Sequence, residues 1–307
     1  MRILGQQSNP EALPLAARRA GTVVPPLWQR RSVRERTRLV AVHTVLTIGA
    51  IFILIPVAWM LSTAFKVNGN VMLFPPQWIP KPFVLRPFSE AFQTMHFFRA
   101  LRNTLIIATG QISGSLLTAS MAAYGFARLR FPGRDLIFFI LLSTIMLPGT
   151  VTIIPLYILF RHLHWLNTFL PLIVPLWFGG GVFNIFLLRQ FFMTISEEIC
   201  NAARIDGCGH WGIYWRIILP LGRPGMITVF IFLFMGSWND FFAPLIYLNS
   251  TKLYPLTLTL EWFVGKYVVL WNQLMAGTIM VALPPIILFF FTQRYFIRGV
   301  VFTGVKA

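Results

Sequence analysis

The sequence predicts an all-α polytopic membrane protein with six transmembrane helices. Of its 307 residues, 56% are apolar and only 11% are charged, where soluble domains carry roughly a quarter charged. The mean hydropathy is +0.70. The few charges are clustered and leave long gaps. Uncharged stretches of 27, 25, 25, 24 and 27 residues lie between Arg38 and Lys66, Arg102 and Arg128, Asp135 and Arg161, His164 and Arg189, and Lys266 and Arg294. From Pro224 to Thr251 the only charge is Asp240. A bilayer needs about 20 apolar residues per helix. The gaps therefore place spans near 40–64, 103–127, 136–160, 167–188, 224–248 and 274–293.

The basic residues orient these spans. With six crossings both termini share one side. That side carries eight arginines before residue 39, then Arg128, Arg130 and Arg134, then Arg189, Arg204, Arg216 and Arg223, then Arg294, Arg298 and Lys306, which is 18 of the 26 basic residues. The positive-inside rule puts this face, and both termini, in the cytoplasm. The chain is expected to be a multi-pass protein of the cell inner (plasma) membrane. The net charge of +17 then reflects topology and contact with anionic membrane lipid. Nucleic acid is not an expected partner, because the arginines spread over four segments and no recognition module is visible.

Residues 1–39 read as a basic, Arg-, Pro- and Ala-rich cytoplasmic lead, expected to be disordered. A cleaved signal peptide is not expected. The first apolar run starts too late, is too long, and lacks a small-residue cleavage site close behind it. Residues 40–307 form the six-helix domain, with a cytoplasmic loop at 191–223. The outer loop 66–100 is rich in proline, which makes stiff, non-helical chain. It reads equally as a packed cap over helix ends and as a docking surface for an external partner.

Several polar or small residues stand inside the spans. Gly110, Gly114, Thr118 and Ala122 repeat every four residues, a stripe that lets helices approach closely. Gly179, Gly180 and Gly181 lie between Pro175 and Asn184 and invite a kink, serving either a gate or close packing. Asp240, beside Trp238 and Asn239, is costly in a bilayer and needs a partner or water. It faces either the interior of the bundle or a hydrogen bond at a helix bend before Pro244. Gly180, Asn184, Asn239 and Asp240 are the candidates for the translocation path.

Residues 196–224, SEEICNAARIDGCGHWGIYWRIILPLGRP, are the most informative segment. Ser196 is placed to N-cap a helix whose first turn holds Glu197 and Glu198, where the helix dipole favours negative charge. Gly207 can take the left-handed conformation that ends the helix. A second helix is expected from about His210 to Leu219, stopping before Pro220. A small-residue helix-turn-helix of this kind is shaped to enter a groove on another protein.

This segment resembles the signature loop of ABC importer permeases, whose core reads E-A-A, three residues, then glycine. Further stretches are similar to the carbohydrate, maltose-transporter type of second permease subunit: AYGFARLRFPGRD (122–135), MLPGTVTIIPLYILF (146–160), LNTFLPLIVP (166–175), FNIFLLRQFF (183–192), SWNDFFAPLIYL (237–248) and FTQRYFIRGVVFTGVKA (291–307). The resemblance runs from about residue 40 to the end. It implies a type I importer fold and a second permease subunit. It also implies two cytoplasmic ATPase subunits and an extracytoplasmic solute-binding protein. Glu198, Asn201, Ala202, Ala203, Asp206 and Gly207 are then the expected ATPase-coupling residues. Asp206 would cap the second helix or pair with an ATPase cation. The family usually has glutamate where this chain has Asn201. Glu198, three residues earlier on the same helical face, is placed to substitute. Gly207→Glu is expected to abolish coupling while leaving membrane insertion intact.

No enzyme motif is present. Gly265, Lys266 and Tyr267 fail the phosphate-loop pattern, and Cys200 and Cys208 suggest neither disulfide nor zinc. No cofactor is expected in this chain, and ATP would be bound by a partner subunit. The alternative, an ion-coupled secondary transporter, usually places several ionisable residues in its spans. Here only Asp240 qualifies. A sugar or related polyol is the substrate class that the resemblance implies.

Overall fold

The computed structural model describes residues 31–265 and 268–301. The reading of residues 1–30 as disordered, and of the tail from residue 302, lies outside the described residues. So do the side chains of 294–301, including Arg294 and Arg298. The chain divides into two units, Met1–Ala58 and Trp59–Ala307. Helix α1 (Arg31–Ala64), most of which belongs to the first, starts nine residues before the expected span, so residues 31–39 are helical. Its side chains from 35 to 58 are exposed and mostly apolar.

The second unit is built of helices joined by turns and loops, and among its described residues the only β pairing is one isolated bridge between Val264 and Val269. In order they form α2 (Arg86–Thr94), α3 (Phe97–Arg128), α4 (Arg134–Ser143), α5 (Gly149–His162), α6 (Leu170–Ile173) and α7 (Val182–Thr194). Then come α8 (Glu197–Ile205), α9 (His210–Ile213), α10 (Leu219–Leu221), α11 (Arg223–Trp238), α12 (Phe242–Tyr247), α13 (Leu256–Thr259) and α14 (Trp271–Val301). Among the described residues, four stretches are long and apolar enough to cross a bilayer, and two bent helix pairs make six if each counts as one span.

The third expected span is the largest departure. Its two halves, Arg134–Met146 and Gly149–His162, meet at 95°. Leu147 is extended (φ −77°, ψ 119°), the conformation a residue before proline prefers, and Pro148 offers no N–H to continue the helix. The expected continuous helix over 136–160 is therefore two short ones. The fifth span differs as well. It ends at Trp238 and restarts at Phe242, and its Arg223 end meets His210–Leu221 at 75°. The helix expected to stop before Pro220 continues to Leu221. The turn ahead of Pro220 is a wide π-turn over Tyr214–Ile218, which relieves the clash of the proline ring with the preceding turn.

In lipid, helices gain little from burying apolar surface against one another. Packing and hydrogen bonds must hold them instead. The central helix α3 shows both. A Cβ on Gly114 would lie 2.3 Å from the Trp177 ring, and one on Gly110 would lie 2.8 Å from Ile173. The expected small-residue stripe thus seats the α6 end of the fourth span. Trp177 Nε1 donates to Gly110 O (3.0 Å), Thr118 Oγ1 to Leu176 O (3.3 Å) and Gln111 Nε2 to Leu172 O (2.9 Å).

Buried apolar residues form three clusters. One joins α3, α7, α8 and the 213–218 turn through Ala123, Tyr124, Leu188, Phe192, Cys200 and Tyr214. A second, at the other end of α3, includes Ala64, Met95, Trp238, Leu256 and Phe263. A third gathers Ile107, Phe160, Leu172, Tyr247 and Leu248.

Candidate functional site

Ser196 N-caps α8 as its sequence suggests: its hydroxyl accepts from Glu198 N (3.2 Å), with both glutamates in the first turn. The helix closes on a left-handed Gly207 (φ +83°). Gly207 N donates to Arg204 O (3.0 Å) and Cys208 N to Ala203 O (2.8 Å). This pair of bonds is the Schellman arrangement, which satisfies the last carbonyls of a helix. Asp206 is the C-cap of α8. It does not cap the second helix, because the N-cap of α9 is Gly209 and no side chain caps it.

One face of this helix pair is fastened to the membrane bundle. Cys200, Ile213, Tyr214 and Ile218 are almost wholly buried. The Tyr214 hydroxyl and Ser120 Oγ share a hydrogen bond of 2.7 Å, and the Tyr124 hydroxyl donates to His210 O (3.2 Å). Arg128, at the end of α3, donates through Nη2 to the carbonyls of Phe192 and Ile195, which finishes α7. The opposite face is open. Glu198, Asn201, Ala202, Asp206 and Gly207 are exposed and Ala203 is half-buried. Ile205 is 87% exposed and Trp211 64%. A Cβ on Gly207 would meet nothing within 4 Å.

That last fact changes the meaning of Gly207. The residue is required by its backbone angle rather than by crowding within the chain. A Gly207→Glu variant would strain the turn as well as obstruct a partner, so it does not isolate docking as expected. Asn201 Oδ1 accepts from Arg204 Nη1 (2.7 Å), so the asparagine is tied along its own helix. Glu198 stays free of side-chain partners among the described hydrogen bonds and ion pairs.

The four expected path residues separate. Gly180 (φ +63°) is wedged against α3, where a Cβ would lie 2.5 Å from Ser115 O. Its carbonyl accepts from Ser115 Oγ and from Asn184 Nδ2 (2.8 Å), and Asn184 Nδ2 also reaches Ser115 Oγ (3.2 Å). Gly180 and Asn184 are thus buried in the α3–α7 seam of this chain. Asp240 Oδ1 accepts from Ala243 N (3.2 Å), and its backbone carbonyl accepts from Thr257 Oγ1 (2.7 Å). This is the hydrogen bond at a helix bend. Asn239 is exposed, with Nδ2 turned back to Met235 O (2.8 Å).

The sequence reading gave no role to Tyr124 and Arg128, although both hold the open helix pair in place. Their i, i+4 spacing at the end of a long apolar helix was the available signal.

Residues 114–302 match the family described as binding-protein-dependent transport system inner membrane component. The chain is 37% identical over 206 residues to a probable ABC transporter permease of Pyrococcus horikoshii, covering 67% of this chain and 75% of that protein. It is 33% identical over 271 residues to the arabinooligosaccharides transport system permease protein of Halalkalibacterium halodurans, covering 85% and 95%. Its fold is similar to a chain in the crystal structure of a bacterial ABC transporter that imports the acidic polysaccharide alginate. The TM-score is 0.76 at 22% identity, over 88% of this chain and 99% of that one.

Proposed function

The chain belongs to the family of binding-protein-dependent transport system inner membrane components, and on that premise we propose that it forms half of a sugar importer's translocation path and couples to the ATPase through α8 and α9. It is a multi-pass permease of an ABC importer, a transport component rather than an enzyme, and its family works with an ATPase and a solute-binding protein. The finer reading is ours. A second permease completes the path, two ATPase subunits bind on the cytoplasmic side, and both termini of this chain lie there. The chain holds no cofactor of its own, and ATP stays in the partner. A sugar substrate is supported by the likeness to an arabinooligosaccharide permease.

One observation carries the coupling role. The Glu197–Ile205 helix is capped at both ends and anchored on one face, while the other face leaves Ile205 87% exposed. A large apolar side chain so placed suits the groove of another protein. The anchored pair, with α8 capped at both ends, can pass rigid-body motion to α7 and α11.

The test is Ile205→Asp, because that side chain supports nothing within the chain. Co-purification of the ATPase should fall about tenfold or more, while the level of the chain in the membrane and its thermal unfolding stay unchanged. Undiminished recovery of an ATPase with intact transport would overturn the coupling role. Sidedness is read separately, from labelling of an Ile205→Cys variant by an impermeant thiol reagent in sealed vesicles.

A further inference from the structure

Two cavities meet beneath the coupling helix pair. The larger, about 740 Å³, is lined by Arg128, Arg130, Arg204 and His210, with Glu197 and Asn201. The smaller, about 220 Å³, is lined by Met121, Tyr124, Trp211 and Tyr214. Leu129 and His210 border both, so the two form one crevice with a basic end and an aromatic end. We propose that this crevice binds an anionic phospholipid, with the phosphate headgroup among the arginines and the start of an acyl chain against the aromatic side chains.

The charge balance favours an anion. Three guanidinium groups face a single carboxylate. That carboxylate, Glu197, reaches only Arg130, at 3.6 Å, and both side chains are exposed, so the pair is weak. Arg204 is bonded to a neutral amide, Asn201 Oδ1. Arg128 uses Nη2 on two carbonyls, while its buried Nε has no hydrogen-bond partner. Guanidinium groups bind phosphate through paired N–H donors, and basic pockets beside membrane helices on the cytoplasmic side hold anionic headgroups. The aromatic end argues for an amphiphile rather than a soluble anion. Met121, Tyr124 and Arg128 lie on one face of α3 at its charged end, so the crevice runs along the helix from the apolar side chains to the guanidinium groups. Its place at the bilayer boundary rests on the proposed topology.

The assembled transporter is placed in nanodiscs holding a minor fraction of phosphatidylglycerol with a photoreactive acyl chain, and crosslinked peptides are mapped by mass spectrometry. Crosslinks are expected at Met121, Tyr124 or Trp211, with few from photoreactive phosphatidylcholine. Arg130→Gln and Arg204→Gln should each reduce them about fivefold. Met121→Trp should reduce them without removing a charge, and Arg134→Gln, outside the basic cavity, should not. Equal labelling by phosphatidylcholine, or labelling indifferent to Arg130 and Arg204, would overturn the proposal. Displacement by inorganic phosphate beyond a salt-matched control would reassign the crevice to a soluble anion. A crosslink made to the ATPase in place of lipid would reassign it to the partner. Both leaflets of the disc are alike, so these results do not depend on which side the crevice faces.

Discussion

At the end of α3 near Ala100, side chains reach across long stretches of sequence to close backbone; at the end near Arg128 they fasten one helix pair and leave half of it free. At the first end Asn103 Nδ2 donates to Lys252 O (2.9 Å) and Tyr254 O (3.1 Å), and Thr104 Oγ1 accepts from Leu256 N (2.9 Å). Asn272 Nδ2 donates to Lys66 O (3.1 Å), and Gln273 Nε2 to Glu90 (2.7 Å). Trp238 Nε1 donates to Val281 O (2.9 Å). Polar side chains here spend their hydrogen bonds inside the chain. At the other end Tyr214 and Ser120 share a hydrogen bond, the Tyr124 hydroxyl donates to His210 O, and Arg128 donates to the carbonyls of Phe192 and Ile195, while Ile205 stays 87% exposed and the Glu198 carboxylate has no partner among the described hydrogen bonds and ion pairs. On the proposed coupling role, the face offered to the partner is built largely from groups that make few bonds within the chain.

The proline-rich loop at the first end divides along the same line. Ser62 Oγ donates to Trp78 O (2.5 Å), the Trp59 and Trp78 rings meet edge-on at 5.1 Å, and Phe65 stacks on Phe83 at 4.6 Å. Yet Phe74 is 94% exposed. The loop is both a packed cap and an apolar projection.

The contrast breaks if a substitution on the open face near Arg128 costs much stability or one near Ala100 costs ATPase binding. Trp238→Ala should have the largest effect, a loss of about 3–5 kcal/mol in thermal unfolding, with ATPase recovery unchanged per folded chain. Asn103→Ala should cost about 1–3 kcal/mol, because the carbonyls of Lys252 and Tyr254 both lose a buried donor. Gly207→Ala should cost only about 1 kcal/mol, from its positive φ, but should weaken ATPase binding. Gly207→Asn, which tolerates that angle, should keep most of it. Equal loss of binding in both would show that the partner senses the added side chain rather than the turn.

Lys66 sharpens the contrast by being the exception. It is 1% exposed, its Nζ lacks a hydrogen-bond partner, and it lies 3.9 Å from the Trp59 ring centroid. Burial pushes its amine below the ordinary 10.5. The unfolded chain therefore binds that proton more readily, and stability should rise with pH between the lowered value and the ordinary one. Lys66→Met should raise the melting temperature by roughly a degree or two and abolish that rise. A fall would mean that the ring attraction outweighs the cost of burying the amine.

The spans were legible because charge is too costly inside a bilayer to be scattered. Their breaks were less so. Pro56, Pro155, Pro284 and Pro285 lie within helices, so Pro148 alone gave no warning of a 95° bend. Ser196 and Gly207 were readable because caps are local chemistry. Tyr124 and Arg128 were not, since their partners lie 86, 64 and 67 residues away. Asn184 was ambiguous for a related reason: a polar residue in a span signals either a path or a partner, and one partner, Ser115, lies 69 residues away.

The caps on α8 carry a cost argument of their own. An isolated helix of nine residues is marginal in water, and fixing its backbone costs roughly 1–2 kcal/mol per residue. In the intact chain Ser196, Gly207 and the anchors beneath have already met that entropy, so association need not. A free peptide spanning 196–224 would meet it at the moment of binding, and should compete poorly with the permease it was cut from.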